Sequence, residues 1–167
     1  MFEIVKSRIE TLQVDAIVNA ANRWLSPGGG VDGAIRMAAG PALNAHLESF
    51  PGLEEGGALI TPGFALPARA VIHTVAPIWA APGEAAAKDA GLVACYRNTF
   101  AAADAAGFAS IAYPALGTGA FGWPKPRAAD LALATLRASA ARAVVIKRVI
   151  LCCFVDEDVA LYEARLG

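Results

Sequence analysis

Asn19 and Asn22, three consecutive glycines at Gly28, Gly29 and Gly30, and a carboxylate at Asp32 are gathered in one short stretch. An apolar run, Ile17-Val18, precedes them, and Ala34-Ile35-Arg36 follows in a helix-forming segment. A buried strand, a glycine loop and a helix start together make an anion site. The glycines let the backbone approach a ligand, and the unpaired N–H groups of a helix N-terminus point at negative charge. Asp32 is an addition that a plain phosphate cradle does not need, and it suggests chemistry beside the phosphate.

A second loop, Gly117-Thr118-Gly119-Ala120-Phe121-Gly122, matches G-x-G-x-x-G between a strand and a helix. A dinucleotide-dependent oxidoreductase is the rival reading of that motif. Such a site wants an acid about 20 residues on, for the ribose hydroxyls. The region from Ala132 to Arg142 has none, and the loop comes late in the chain. There is no G-x-S-x-G and no lysine of a phosphate-binding loop, which disfavours the usual nucleophile classes.

Each of these residues also has a plain structural reading. An Asp ahead of an Ala/Ile helix is a favoured N-cap, and Asn22 suits a turn. His73, inside Val71-Ile72-His73-Thr74-Val75, fits a hydrogen-bonded core histidine, and Trp24, Trp79 and Trp123 flank loops where packing is the default role. The 3 cysteines and 2 histidines have no metal-ligand spacing, so no metal is expected. Cys152 and Cys153 are adjacent in a strand-like run and should face opposite sides of the sheet as reduced thiols, like Cys95.

The elements that must hold these loops follow from periodicity and punctuation. With 167 residues, 56% apolar and 17% charged, the chain suits one domain, 1–167, with a substantial core. No uncharged apolar run reaches roughly 18 residues, and Met1 to Lys6 enters a strand without a signal-peptide layout, so a soluble cytoplasmic protein is expected. A net charge of −1 gives no pull toward nucleic acid or anionic membranes, and neither is expected as a partner.

Strands are expected at Phe2–Lys6, Val14–Asn19, Gly56–Ile60, Ala70–Val75, Phe108–Ala115 and Val144–Phe154. Helices are expected over Asp32–Ala39, Ala42–Ser49, Glu84–Ala106, Pro124–Ala143 and Asp156–Leu166. Pro77–Gly83 reads as a loop. This alternation predicts a mixed or parallel sheet covered on both faces. The two glycine loops then lie near each other at the carboxyl edge, where open α/β sheets bind ligands, and Phe154 reaches the same edge.

With both loops in hand, the sequence resembles a macrodomain of the branch that hydrolyses ADP-ribose esters. The residues that carry the resemblance are Val14 to Asn22, Gly28 to Ile35, Ala38-Ala39-Gly40-Pro41, Leu66 to Pro77 and Tyr113 to Pro124. It implies a three-layer α/β/α fold around a central mixed β-sheet. It also implies ADP-ribose and O-acetyl-ADP-ribose as ligands, with ADP-ribosylated proteins as a further substrate class and no cofactor. Gly30 and Val31 on one side and Gly117, Thr118, Gly119, Ala120 and Phe121 on the other would hold the diphosphate through backbone N–H groups. Phe121 would also orient the distal ribose, and Asn22 would hydrogen-bond one of its hydroxyls. Asp32 would position or deprotonate the attacking water, and Phe154 would stack on adenine.

Three departures from the family pattern stand out. Ser7-Arg8-Ile9 replaces Gly-Asp-Ile; Arg8 and Ile9 still line the binding site, but Arg8 has only donors and cannot accept from an adenine amino group. Arg36 replaces a histidine, and as an i,i+4 neighbour it can pair with Asp32 and slow turnover. Gly117 replaces a serine, which loses a hydroxyl and keeps the backbone donor. The alternative to an enzyme is a non-catalytic module that binds ADP-ribose or a related nucleotide.

Overall fold

Strand parity divides the buried side chains into two groups, and the division explains the layers. The computed structural model describes residues 1–167. Its six strands are β1 (Phe2–Lys6), β2 (Ala16–Ala20), β3 (Leu59–Pro62), β4 (Ala70–Thr74), β5 (Ser110–Tyr113) and β6 (Arg148–Cys153). They form one sheet in the order β1-β6-β5-β2-β4-β3. All neighbours run parallel except β3, which is antiparallel to β4 at the edge. The helices are α1 (Gly30–Ala39), α2 (Pro41–Glu48), α3 (Ala85–Ala105), α4 (Lys125–Ala140) and α5 (Asp156–Leu166).

Ile17, Val71, Ala112, Ile150 and Cys152 pack on one face with Ile35 and Ala39 of α1 and Leu43 and Leu47 of α2. Ala16, Val18, Ile72, Ile111, Leu151 and Cys153 pack on the other with residues of α3, α4 and α5. Successive side chains of a strand point to opposite faces, so buried strands need apolar residues at every position. Cys152 and Cys153 do fall on opposite faces, and Cys95 is buried and free like them. The result is a three-layer α/β/α fold with a mixed sheet.

After β2 the chain runs out to the edge strand β3, returns through β4 beside β2, and then crosses to β5 on the other side of β2. The order therefore reverses around β2, and the loops after β2 and β5 open outside the carboxyl ends of parallel strands, at a topological switch point. Gly107, at φ 82°, ends the segment after α3 as its sequence position predicts.

Several local expectations change: β2 starts at Ala16 rather than Val14, β5 covers only Ser110–Tyr113, and α4 ends at Ala140. Residues 56–58 do not join a strand: Gly56 has φ 78°, and β3 instead runs on to Pro62, which an edge strand tolerates. Residues 144–147 stay outside β6 because the Asp104 carboxylate accepts the N–H groups of Val144, Val145 and Ile146. A 3-10 turn at Ile9–Thr11 was not foreseen. Helix α1 starts at Gly30 rather than Asp32, with Gly29 as its N-cap. No helix is long and apolar enough to cross a membrane.

Candidate functional site

A cleft of about 440 Å³ opens where the loops after β2, β5 and β6 meet. Gly30 and Val31 form one wall and Thr118 and Gly119 another, while Arg8, Ile9 and Phe154 close the far end. These are seven of the residues picked out from the sequence, and the fold brings them together. Glu10, Lys125, Cys152 and Asp158 also line the cleft and were not foreseen; no local pattern marks them, because they come from a turn, a helix start, a strand end and a helix.

Two sets of amides without a protein acceptor lie in the loops that build this cleft. Gly30 and Val31 are the first residues of α1, whose opening N–H groups have no partner within the helix. In the second loop the N–H groups of Gly119, Ala120 and Phe121 have no acceptor within the protein. Unpaired backbone donors at a helix start and in a glycine loop are the chemistry that binds anions. Gly117, Ala120 and Phe121 do not line the cleft with their own atoms; they shape the loop behind it. Gly117 has φ 81°, and a Cβ there would stand 2.5 Å from Trp123 Cδ1. The absent hydroxyl at this position is therefore a packing requirement as well as a lost donor. The Trp123 indole donates to Pro77 O at 2.8 Å, and the Phe121 carbonyl accepts Ala80 N–H at 3.3 Å.

The first loop is held by charge. Asp32 is the third residue of α1 and not its N-cap, which corrects the capping reading. Its Oδ2 accepts Gly28 N–H at 2.7 Å and Arg36 Nε at 2.9 Å, and its Oδ1 accepts Asn19 Nδ2 at 2.7 Å. Arg36 pairs with Asp32 as the i,i+4 spacing predicts, and both are about 95% buried. Arg36 also donates to Asn44 Oδ1 and to the carbonyl of Leu25, each at 2.8 Å, and Leu25 sits in the left-handed region at φ 57°. One guanidinium thus fixes the helix, its neighbour α2 and the strained turn before the glycines.

Asn22 organises the turn itself. Its Oδ1 accepts Trp24 N–H at 3.1 Å and Ser26 N–H at 3.2 Å, and its Nδ2 donates to Ser26 O at 2.8 Å. Asn22 and Asp32 do not line the cleft. They do converge on Gly28: a Cβ there would lie 3.3 Å from Asp32 Oδ2 and 3.8 Å from Asn22 Nδ2. The second N–H of that amide has no acceptor in the protein.

At the other end, Phe154 is 69% exposed, a flat apolar face open to a ligand. Arg8 donates from Nε to Glu10 Oε1 at 2.7 Å, which turns its guanidinium along the rim. The Cys152 thiol is pushed up to about 11 by burial, so it is an unreactive part of the wall. No group of three or more His, Cys, Asp or Glu side chains is arranged to hold a metal ion.

Comparison with known proteins shows the family and the fold. The family model described as Macro domain matches residues 18–132. A macro domain-containing protein of Ralstonia nicotianae is 47% identical, covering 98% of this chain and 92% of the relative. A Klebsiella pneumoniae protein named O-acetyl-ADP-ribose deacetylase is 44% identical over 99% of this chain and 95% of its own length. A solved glycine-to-valine variant of the Oceanobacillus iheyensis macrodomain with ADPR superposes with a TM-score of 0.94 at 36% identity, covering 99% of this chain and 91% of that one.

Proposed function

The chain belongs to the macrodomain family, and from its site we propose that residues 1–167 act as one domain that binds ADP-ribose and hydrolyses esters on its distal ribose. The observation that carries the reading is one cleft with the helix-opening residues Gly30 and Val31 on one side, Thr118 and Gly119 with the unpaired Gly119 N–H on the other, and the open face of Phe154 at its end. Diphosphate charge sits between the amides, adenine stacks on Phe154, and the distal ribose extends toward Gly28. There the free N–H of Asn22 meets a ribose hydroxyl, and Phe121 backs the sugar. The relative named O-acetyl-ADP-ribose deacetylase and the neighbour with ADPR support the ligand class.

In the reaction, water adds to the ester carbonyl carbon. The carbon–oxygen bond to the ribose then breaks, and the ribose oxygen takes a proton as the acid departs. Asp32 Oδ1 uses one lone-pair direction for Asn19 and keeps another for a hydrogen of that water. A fixed water beside a carboxylate supplies proximity and general-base help without a covalent intermediate. Removal of mono-ADP-ribose from acidic side chains of proteins cleaves an ester at the same ribose and belongs to the same proposal, as does action in the cytoplasm.

A second reading, a binding module without turnover, draws on one observation: Asp32 is only 4% exposed and already accepts three hydrogen bonds. The deciding experiment measures acetate release from O-acetyl-ADP-ribose by wild type and Asp32→Asn, with ADP-ribose binding followed by calorimetry. Turnover by wild type that falls at least a hundredfold in the variant, with binding kept, supports the hydrolase. Binding without turnover in both makes the protein a reader. Loss of ADP-ribose binding by wild type overturns both.

A further inference from the structure

Behind Asp32 a line of polar side chains runs through the core between α1 and the sheet. Asn19 Nδ2 lies 2.7 Å from Asp32 Oδ1 and 3.1 Å from His73 Nδ1, and His73 Nε2 lies 3.0 Å from Thr61 Oγ1. Asn19 and His73 are fully buried, and Thr61 is 1% exposed. The sheet register explains the meeting: Asn19 on β2 stands opposite His73 on β4, and Thr61 lies on β3, the strand beyond.

An amide can present either end to a neighbour, and here both uses of Asn19 are donations. Its nitrogen serves Asp32 with one N–H and His73 with the other, while its Oδ1 is buried with no partner. Leaving an acceptor unsatisfied costs free energy, so the donor end is held in place by something that demands it. The Asp32 carboxylate makes that demand for one N–H, and His73 Nδ1 makes it for the other. It accepts from Asn19 only when the imidazole is neutral with its proton on Nε2, and that proton is then donated to Thr61 Oγ1. The groups that face the ring electrostatically are Arg36 and Asp32 of α1 and His46 of α2. Burial, the largest influence, and Arg36 keep the ring neutral against the opposing pull of Asp32.

We infer that His73 is a positioning residue for ester hydrolysis: by accepting from Asn19 it fixes the orientation of that amide, and thereby the lone pair that Asp32 offers to the attacking water. The inference rests on the hydrolase reading. A ring carrying its proton on Nδ1, or none of the ring at all, removes one of the two acceptors that hold the Asn19 amide and leaves its bond to Asp32 as the only tether. The partner on the oxygen that handles the water is then less firmly oriented.

The test compares kcat and KM for O-acetyl-ADP-ribose in four full-length variants, each checked for its melting temperature. His73→Asn places an acceptor oxygen about where Nδ1 stood, whereas His73→Gln reaches toward Thr61 and abandons Asn19. The expected result is kcat within threefold of wild type for His73→Asn and about tenfold or more lower for His73→Gln, with KM unchanged in both. Thr61→Val, which removes only the far acceptor, lowers kcat by a few-fold. A purely structural role would instead lower the melting temperature of both histidine variants without separating their kcat values. Asp32→Asn serves as the control. Absence of turnover in wild type overturns the hydrolase reading, and turnover retained in Asp32→Asn overturns the role of Asp32 and the positioning role with it. Loss in Asp32→Asn beside full kcat in a folded His73→Gln overturns the positioning role alone.

Discussion

The two glycine loops sit side by side at the same sheet edge and are held by opposite means. The loop at Gly28–Gly30 is fixed from beneath by buried charge: Asp32 takes Gly28 N–H, and Arg36 takes Asp32, Asn44 and Leu25 O. The loop at Gly117–Gly122 is fixed by aromatic packing. Trp123 closes on Gly117, and the Trp79 and Trp123 rings lie 4.9 Å apart. Both loops leave amides open to an anion, yet only the first is held directly by a buried ion pair; the cations over Trp79 stand behind the aromatic pair of the second. Apolar packing does not depend on a paired charge, and the comparison therefore predicts which perturbations act on one loop and spare the other.

The largest effect should come from breaking the charge clamp. Asp32→Ala leaves the Arg36 guanidinium buried without its counter-charge, and removing one partner of a buried pair costs about 3–5 kcal/mol. Urea unfolding should show that loss, and Asp32→Ala/Arg36→Leu should recover a large part of it. A single variant as stable as wild type would break the contrast between the loops.

Acid should come next and should act on the first loop. Burial depresses His73 from its ordinary 6.5 to about 4 in the folded protein. Between those values the unfolded chain binds the proton and the folded chain does not. The stabilisation is therefore fully present above about 6.5 and is lost as pH falls toward 4, by roughly 3 kcal/mol. Urea midpoints followed from pH 7 to pH 4 should fall more steeply in wild type than in His73→Asn.

Gly117→Ser tests the second loop. The side chain is forced into a positive φ and against the Trp123 ring, a cost of about 2 kcal/mol. The loss of melting temperature should be the same at pH 7 and pH 5, because nothing titratable joins the clash. A pH-dependent loss would blur the distinction between the loops.

Phe154→Ala touches neither clamp. With so exposed a ring, stability should not change, while stacking lost from a base lowers ADP-ribose affinity about tenfold. Calorimetry at constant pH reads this directly.

Much of this arrangement is legible in the chain itself. The β-branched runs, the positive-φ glycines and the alternation of strand and helix state where strands end and loops begin. The resemblance carried by Val14–Asn22 and Gly28–Ile35 names the fold. The Asp32–Arg36 pair is legible because helix geometry makes i,i+4 a contact regardless of the rest of the molecule. Backbone periodicity likewise sends Cys152 and Cys153 to opposite faces.

Other features are not written locally. Asn19 and His73 are 54 positions apart, and only the β2–β4 register brings them together. Thr61 joins them because β3 turns antiparallel at the edge, which no local pattern distinguishes from another parallel strand. Glu10, Lys125 and Asp158 reach the cleft through sheet order and helix packing. Sequence by itself determines what depends on the regular repeat of a strand or helix: which face a side chain takes and which residues meet on neighbouring turns of a helix. Contacts that depend on which strands lie side by side are decided in the tertiary structure, since strand order is chosen by burial of the whole core rather than by any one segment.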